Sequence, residues 1–151
     1  MAFVLEDAAR AMLYTIRDKA QDVFSTLQRG YPESVYQRAL GIEFQKQNIR
    51  HDMEVTMSIT YKDHVVGQVR ADIILRGEIP VVIETKATAA AIKVEERWQL
   101  SRYLKIQDIP LGVLINFPQI SGKMVLQIEF LIKDEDKIYI YDLDANTAKE
   151  L

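Results

Sequence analysis

The chain has 151 residues, 48% apolar and 27% charged, the make-up of one soluble globular domain able to bury a core without metal or disulfide staples. It contains no cysteine, which excludes disulfides, zinc ribbons and thiol catalysis. A net charge of −3 argues against a basic nucleic-acid coat protein. It leaves room for a nuclease, whose site is acidic and whose basic residues are local.

The N-terminal "MAFVLEDAAR" places Glu6 and Asp7 where a secretory signal would be basic, and no run approaches the roughly 20 apolar residues of a membrane span. The terminal "AKEL" is neither a retention nor a peroxisomal signal. The expectation is a cytosolic, nuclear or virion-contained protein, not a secreted one, with no membrane partner. Residues 1–151 read as one continuous domain, without repeats or linkers.

Residues 4–28 place Val4, Ala8, Met12, Ile16, Val23 and Leu27 near helical spacing. In "RGYPES", Gly30 suits a helix C-terminal cap and Pro32 the first position of a second helix. That helix, roughly residues 32–47, is expected to bury Val35, Ala39 or Leu40, Ile42 and Phe44. From His51 the period becomes two, giving strands in "MEVTMSITY" and "HVVGQVRADIIL", with "KDH" at the turn. "IPVVIETKA" is a third strand, residues 90–107 a helix, and "PLGVLINF" a strand buried on both faces. "KMVLQIEFLIK" and "KIYIYDL" follow, joined at the acidic turn "DED". A helix between two apolar strands is a crossover, so part of the sheet is parallel and the fold class is α/β with a mixed sheet. The alternating apolar residues of the last two strands make them candidates for burial between the subunits of a homodimer.

The third strand carries charge where a core strand has none. Glu84 and Lys86 share one face, opposite Val81, Ile83 and Thr85, and Arg70 shares a face with Asp72. Folding the hairpin about Glu78 brings Asp72 opposite Glu84, with Cβ atoms about 4.5–5.5 Å apart. Opposed like charges are destabilising unless something cationic lies between them, and carboxylates with water are how Mg²⁺ is held. The plainer reading is a solvated strand face with incidental charges, and the pattern alone leaves both open.

Further motifs occur in order. "GYPESVY", with Gly30, Glu33 and Tyr36, is followed by "ALGIEF", "VRAD" ending on Asp72, "IETKA", "QLSRYL" and "GVLINF". Over roughly residues 15–118 the series resembles the GxxExxY family of the PD-(D/E)XK nuclease superfamily. Thr85 stands where that family usually has Ile or Leu, which leaves the side-chain faces unchanged.

The resemblance implies a restriction-endonuclease-like core of mixed central sheet flanked by helices, and a metal-dependent nuclease using Mg²⁺ or Mn²⁺ on nucleic acid, DNA favoured over RNA. The alternative is a catalytically silent nuclease-fold module for nucleic-acid binding or assembly. It implies Asp72 and Glu84 as metal ligands, with the Thr85 backbone carbonyl as a third and Glu33 as a further ligand or outer base. Lys86 would act on the attacking water or the phosphate, and Gln99 would hold the metal shell or the phosphate. Tyr36 and Tyr103 are supports. Without the resemblance, Glu33 is equally a carboxylate favoured at a helix N-terminus, and Lys86 a surface ion-pair partner.

Arg70, Arg97 and Arg102, along with Lys93 and Lys105, are candidates for steering phosphate, against the plainer reading of a solvated helix face. Trp98 reads as core or a dimer contact, and His51 and His64 as surface residues. The "KDEDK" run lacks the glycine and distant glutamate of a calcium loop and reads as a charged hairpin turn.

Overall fold

The computed structural model describes residues 5–119 and 125–151; Val4, Lys123 and Met124, assigned above to a helix and a strand, lie outside them. Helix α1 (Asp7–Leu27) buries Leu13, Ile16, Ala20 and Val23, a stripe spaced by three and four residues. The helix ends earlier than the cap expected at Gly30, because Gln28 takes the positive φ of 61°. The freed Gln28 carbonyl accepts the Tyr36 hydroxyl at 2.6 Å, and that hydroxyl in turn accepts the Tyr31 N–H at 3.2 Å. Gly30, at φ 105°, then reverses the chain into the next helix.

Helix α2 (Glu33–Lys46) begins one residue after Pro32 and buries Tyr36, Gln37, Leu40, Gly41 and Phe44. Ile42 corrects the expectation above: it is 54% exposed, because the Tyr36, Leu40 and Phe44 stripe leaves it on the opposite side of the helix.

Strands β1 (His51–Tyr61) and β2 (His64–Leu75) form a long hairpin whose two-residue turn, Lys62–Asp63, has positive φ at both positions. Strand β3 (Val81–Lys86) leads through residues 87–93 into α3 (Val94–Gln107), which therefore starts later than residue 90. Then come β4 (Leu111–Asn116), β5 (Gln127–Asp134), β6 (Lys137–Asp142) and β7 (Thr147–Glu150). The last strand had no counterpart in the sequence reading.

All seven lie in one sheet in chain order. The β3–β4 pair is parallel, as the α3 crossover requires, and the other neighbours are antiparallel.

Helices α1 and α2 cover one face, over Ile73, Val81, Ile83, Val113 and Phe130; α3 covers the other, over Ile74, Val82, Leu114 and Leu131. Alternation along β3 thus sends Glu84 and Lys86 to the α3 side and Thr85 to the α2 side. Close approach of α3 depends on Gly112, where an added Cβ would stand 2.9 Å from Leu100 Cδ2 and 3.1 Å from Leu104 Cδ2.

The apolar faces of β5 and β6, offered above to a second subunit, are instead covered within the chain: Phe130, Ile132, Tyr139 and Tyr141 under α1, and Leu131 and Ile138 in the α3 layer. Trp98 is 42% exposed and so is not core. His51 is half-buried rather than a surface residue, its Nδ1 2.9 Å from the Ile49 carbonyl and its ring edge-on to Phe44; His64 is exposed. The "DED" turn joins β5 and β6 as a hairpin. Among the described residues no helix is long and apolar enough to cross a membrane.

Candidate active site

The β2–β3 ladder follows the expected register through Leu75–Val81, Ile74–Val82 and Ile73–Ile83, and there it stops. At the next position side chains take over from the backbone. The Asp72 N–H donates to Glu84 Oε1 at 2.8 Å, and the Thr85 N–H donates to Asp72 Oδ2 at 2.8 Å. The two carboxylates therefore interlock across the gap, each accepting a main-chain N–H of the opposite strand. Helix α2 adds Glu33, whose Oε1 lies 3.3 Å from Thr85 Oγ1, while the same hydroxyl lies 3.0 Å from Asp72 Oδ2.

Lys86 follows on the Glu84 face, half-buried at the end of β3. From α3, the Gln99 amide donates to the Tyr103 hydroxyl at 2.9 Å, and Tyr103 is close enough to feel the Glu84 charge. Glu33, Asp72, Glu84, Thr85, Lys86, Gln99 and Tyr103 are thus brought together from four elements.

The electrostatics follow from crowding acid into little water. Glu84 is 4% exposed. Its carboxyl is pushed up to about 8, by burial first and by the Asp72 charge second, against the pull of the Asp72 N–H and Lys86. Glu33 is also raised, by burial and by Asp72, with Lys86 and Thr85 opposing. Burial and the Glu84 charge raise the Tyr103 phenol, which the Gln99 amide partly offsets.

These donors suit a hard cation. Asp72 and Glu84 offer carboxylate oxygens, and the Thr85 carbonyl lies on the same strand edge as the N–H that meets Asp72. The chain has no cysteine to offer a thiolate, and the groups gathered here present oxygen. Among the described residues no group of three or more His, Cys, Asp or Glu side chains forms a ready cage.

Other expected residues are placed elsewhere. Tyr36 is fully buried, stacked 4.3 Å from the Phe117 ring, so it supports the turn between α1 and α2 rather than the carboxylates. Arg97 is engaged by Glu129 through bonds of 2.6 and 2.8 Å and is no open cation. Arg70 is exposed, 4.0 Å from Glu54, and Arg102 is exposed on α3.

Two residues escaped the sequence reading. Gln37, one helical turn beyond Glu33, donates from Nε2 to the Asp72 carbonyl at 3.2 Å. Asn116, at the end of "GVLINF", accepts the Thr88 N–H at 3.0 Å and donates to the Ala90 carbonyl at 2.8 Å, fixing the loop after Lys86. Asn116 is a polar residue in an apolar run, a signal open to reading, whereas Gln37, followed by Arg38, carries none. Clefts of about 570 and 400 Å³ open beside Arg17 and around Pro80, and neither includes any residue of the cluster.

A mixed sheet with two helices on one face and a crossover helix on the other, carrying D…E-T-K where β2 and β3 part, defines an α/β fold of the restriction-endonuclease-like kind. Residues 10–128 match the PD-(D/E)XK nuclease superfamily, and the chain belongs to it. That superfamily consists in general of nucleases, hydrolases of nucleic acid that usually employ divalent metals. Among solved structures, the crystal structure of SSO0001 is similar, with a TM-score of 0.51 and 21% identity over 69% of this chain and 52% of that one. That likeness is one of fold, and this chain spans about half the length of that protein. No curated protein matches the sequence.

Proposed function

We propose that this chain is a nuclease of the GxxExxY kind that hydrolyses phosphodiester bonds in DNA, using Mg²⁺ or Mn²⁺, and that residues 1–151 act as one domain. The observation that carries this is the interlocked pair of Asp72 and Glu84 with Lys86 beside it, where β2 and β3 separate. The setting we propose is cytosolic, nuclear or virion-contained. One chain supplies every residue of the cluster.

Asp72 and Glu84 would hold the cation, with the Thr85 carbonyl and Glu33 completing the protein's share. When bound, it would lower the pKa of a water and offset charge on the phosphate. The remaining chemistry belongs to the chain. Lys86 places an ammonium beside the carboxylates, where it orients the attacking water, favours its ionisation and steadies the charge that grows on the phosphate. Glu33, whose carboxyl burial and the Asp72 charge raise above its ordinary value, is suited to receiving the proton. Gln99 and Tyr103 orient the phosphate from α3, and Arg70 and Arg102 supply local positive charge.

Incubation with labelled single-stranded, duplex and branched DNA and with RNA, each with Mg²⁺, Mn²⁺ or EDTA, tests this. Cleavage of DNA that EDTA abolishes is the expected result. No cleavage of any substrate with either metal would replace this reading with a silent nucleic-acid-binding module.

A further inference from the structure

Asp72 stands outside both ladders that flank it. Arg76 donates its N–H to the Arg50 carbonyl at 2.8 Å, which fixes the outlook of alternate β2 residues toward β1. By that alternation the Asp72 main chain should pair with Glu54, midway between the pairs Met53–Ile73 and Val55–Ala71. The pair is missing, and Glu54 sits at a φ of 53°. The Asp72 N–H is taken by Glu84 and its carbonyl by Gln37.

We infer that Gln37 is a positioning residue that sets the direction of the Asp72 carboxylate by keeping its main chain out of the β1 ladder. This rests on reading Asp72 as a cation ligand. Gln37 is buried, so water competes little for its bond to Asp72. It lies one turn after Glu33 on the same helix side, so α2 grips both strands at once: Glu33 meets Thr85 of β3 and Gln37 meets Asp72 of β2. Without the amide, the Asp72 carbonyl needs another donor, and the Glu54 N–H is the one its strand position offers. Turning Asp72 toward Glu54 carries its carboxylate away from Thr85.

The test compares wild type with Gln37→Met, which keeps the volume and removes the donor. Amide hydrogen exchange is followed in EDTA, and Mn²⁺ binding is followed by calorimetry. The expected result is faster exchange at Asp72, slower exchange at Glu54, unchanged exchange at Leu100 and Leu104, and Mn²⁺ affinity lowered about 10- to 100-fold, as for lost outer-shell partners. A general loss of stability would speed exchange at all four sites. Unchanged exchange at Asp72 and Glu54 in a folded variant overturns the inference, as does undiminished Mn²⁺ affinity. Should wild type bind no Mn²⁺, the cation reading fails, while the exchange pattern still decides whether Gln37 holds Asp72. Gln37→Asn, which withdraws the amide by one methylene, replaces Gln37→Met if the latter does not fold, with the same expected pattern.

Discussion

Replacing Glu84 by glutamine should change how stability depends on pH in the metal-free protein. The folded carboxyl is pushed up from an ordinary 4.5 to about 8, so between those values the folded chain holds a proton that the unfolded chain has lost. Stability then falls as pH rises, by about 1.4 kcal/mol per unit for this one group, levelling off as pH passes 8. From pH 6 to 8 the loss is about 2 kcal/mol, or roughly 4–8 °C in Tm for a chain of this size. Glutamine cannot titrate, and its amide oxygen can still accept the Asp72 N–H. Thermal unfolding of both proteins in EDTA across that range is the assay. Their difference should grow with pH in favour of Glu84→Gln, and Mn²⁺ should stabilise wild type while leaving the variant nearly unmoved. Parallel pH profiles would refute the reasoning, because the carboxyl would then be titrating as it does in water.

Gly112→Ala should destabilise the fold by about 1–3 kcal/mol, seen by urea unfolding, because its Cβ meets two buried leucines of α3. Tyr36→Phe leaves the Gln28 carbonyl without its hydroxyl donor and should cost about 1–2 kcal/mol, while calorimetry finds Mn²⁺ affinity unchanged. Asp72→Asn should instead lose Mn²⁺ binding in the same calorimeter, and equal binding by variant and wild type would show the site to be misplaced.

The parts that sequence makes legible are those governed by regular periods. The register that sets Asp72 against Glu84 follows from two-residue alternation on either side of a glycine-containing turn, and the ladder keeps it up to Ile73–Ile83. What comes next is not periodic. Side chains replace the backbone bonds at Asp72, and no pattern of apolar residues announces that. A helix read by its apolar residues alone passes over Gln37, and it assigns Ile42 to a core that Tyr36, Leu40 and Phe44 already fill. Strand β7, four residues of "TAKE", is too short and polar to show alternation; the β6 edge it meets gives it form. Arg97 was unreadable for another reason, since Glu129, its partner, arrives from a strand 32 residues away.

The central claim is that Asp72 and Glu84 bind a cation while Lys86 acts on the chemistry, and Lys86→Ala separates the two. Mn²⁺ affinity and cleavage of labelled DNA should be measured on the same preparation of wild type and variant. The variant should stay folded and bind Mn²⁺ at least as tightly, since its carboxylates lose a competing positive charge. Its cleavage should fall by about 10²-fold or more, the order of a lost acid–base or charge-stabilising group. Wild-type cleavage matched by equal cleavage from Lys86→Ala would contradict the account.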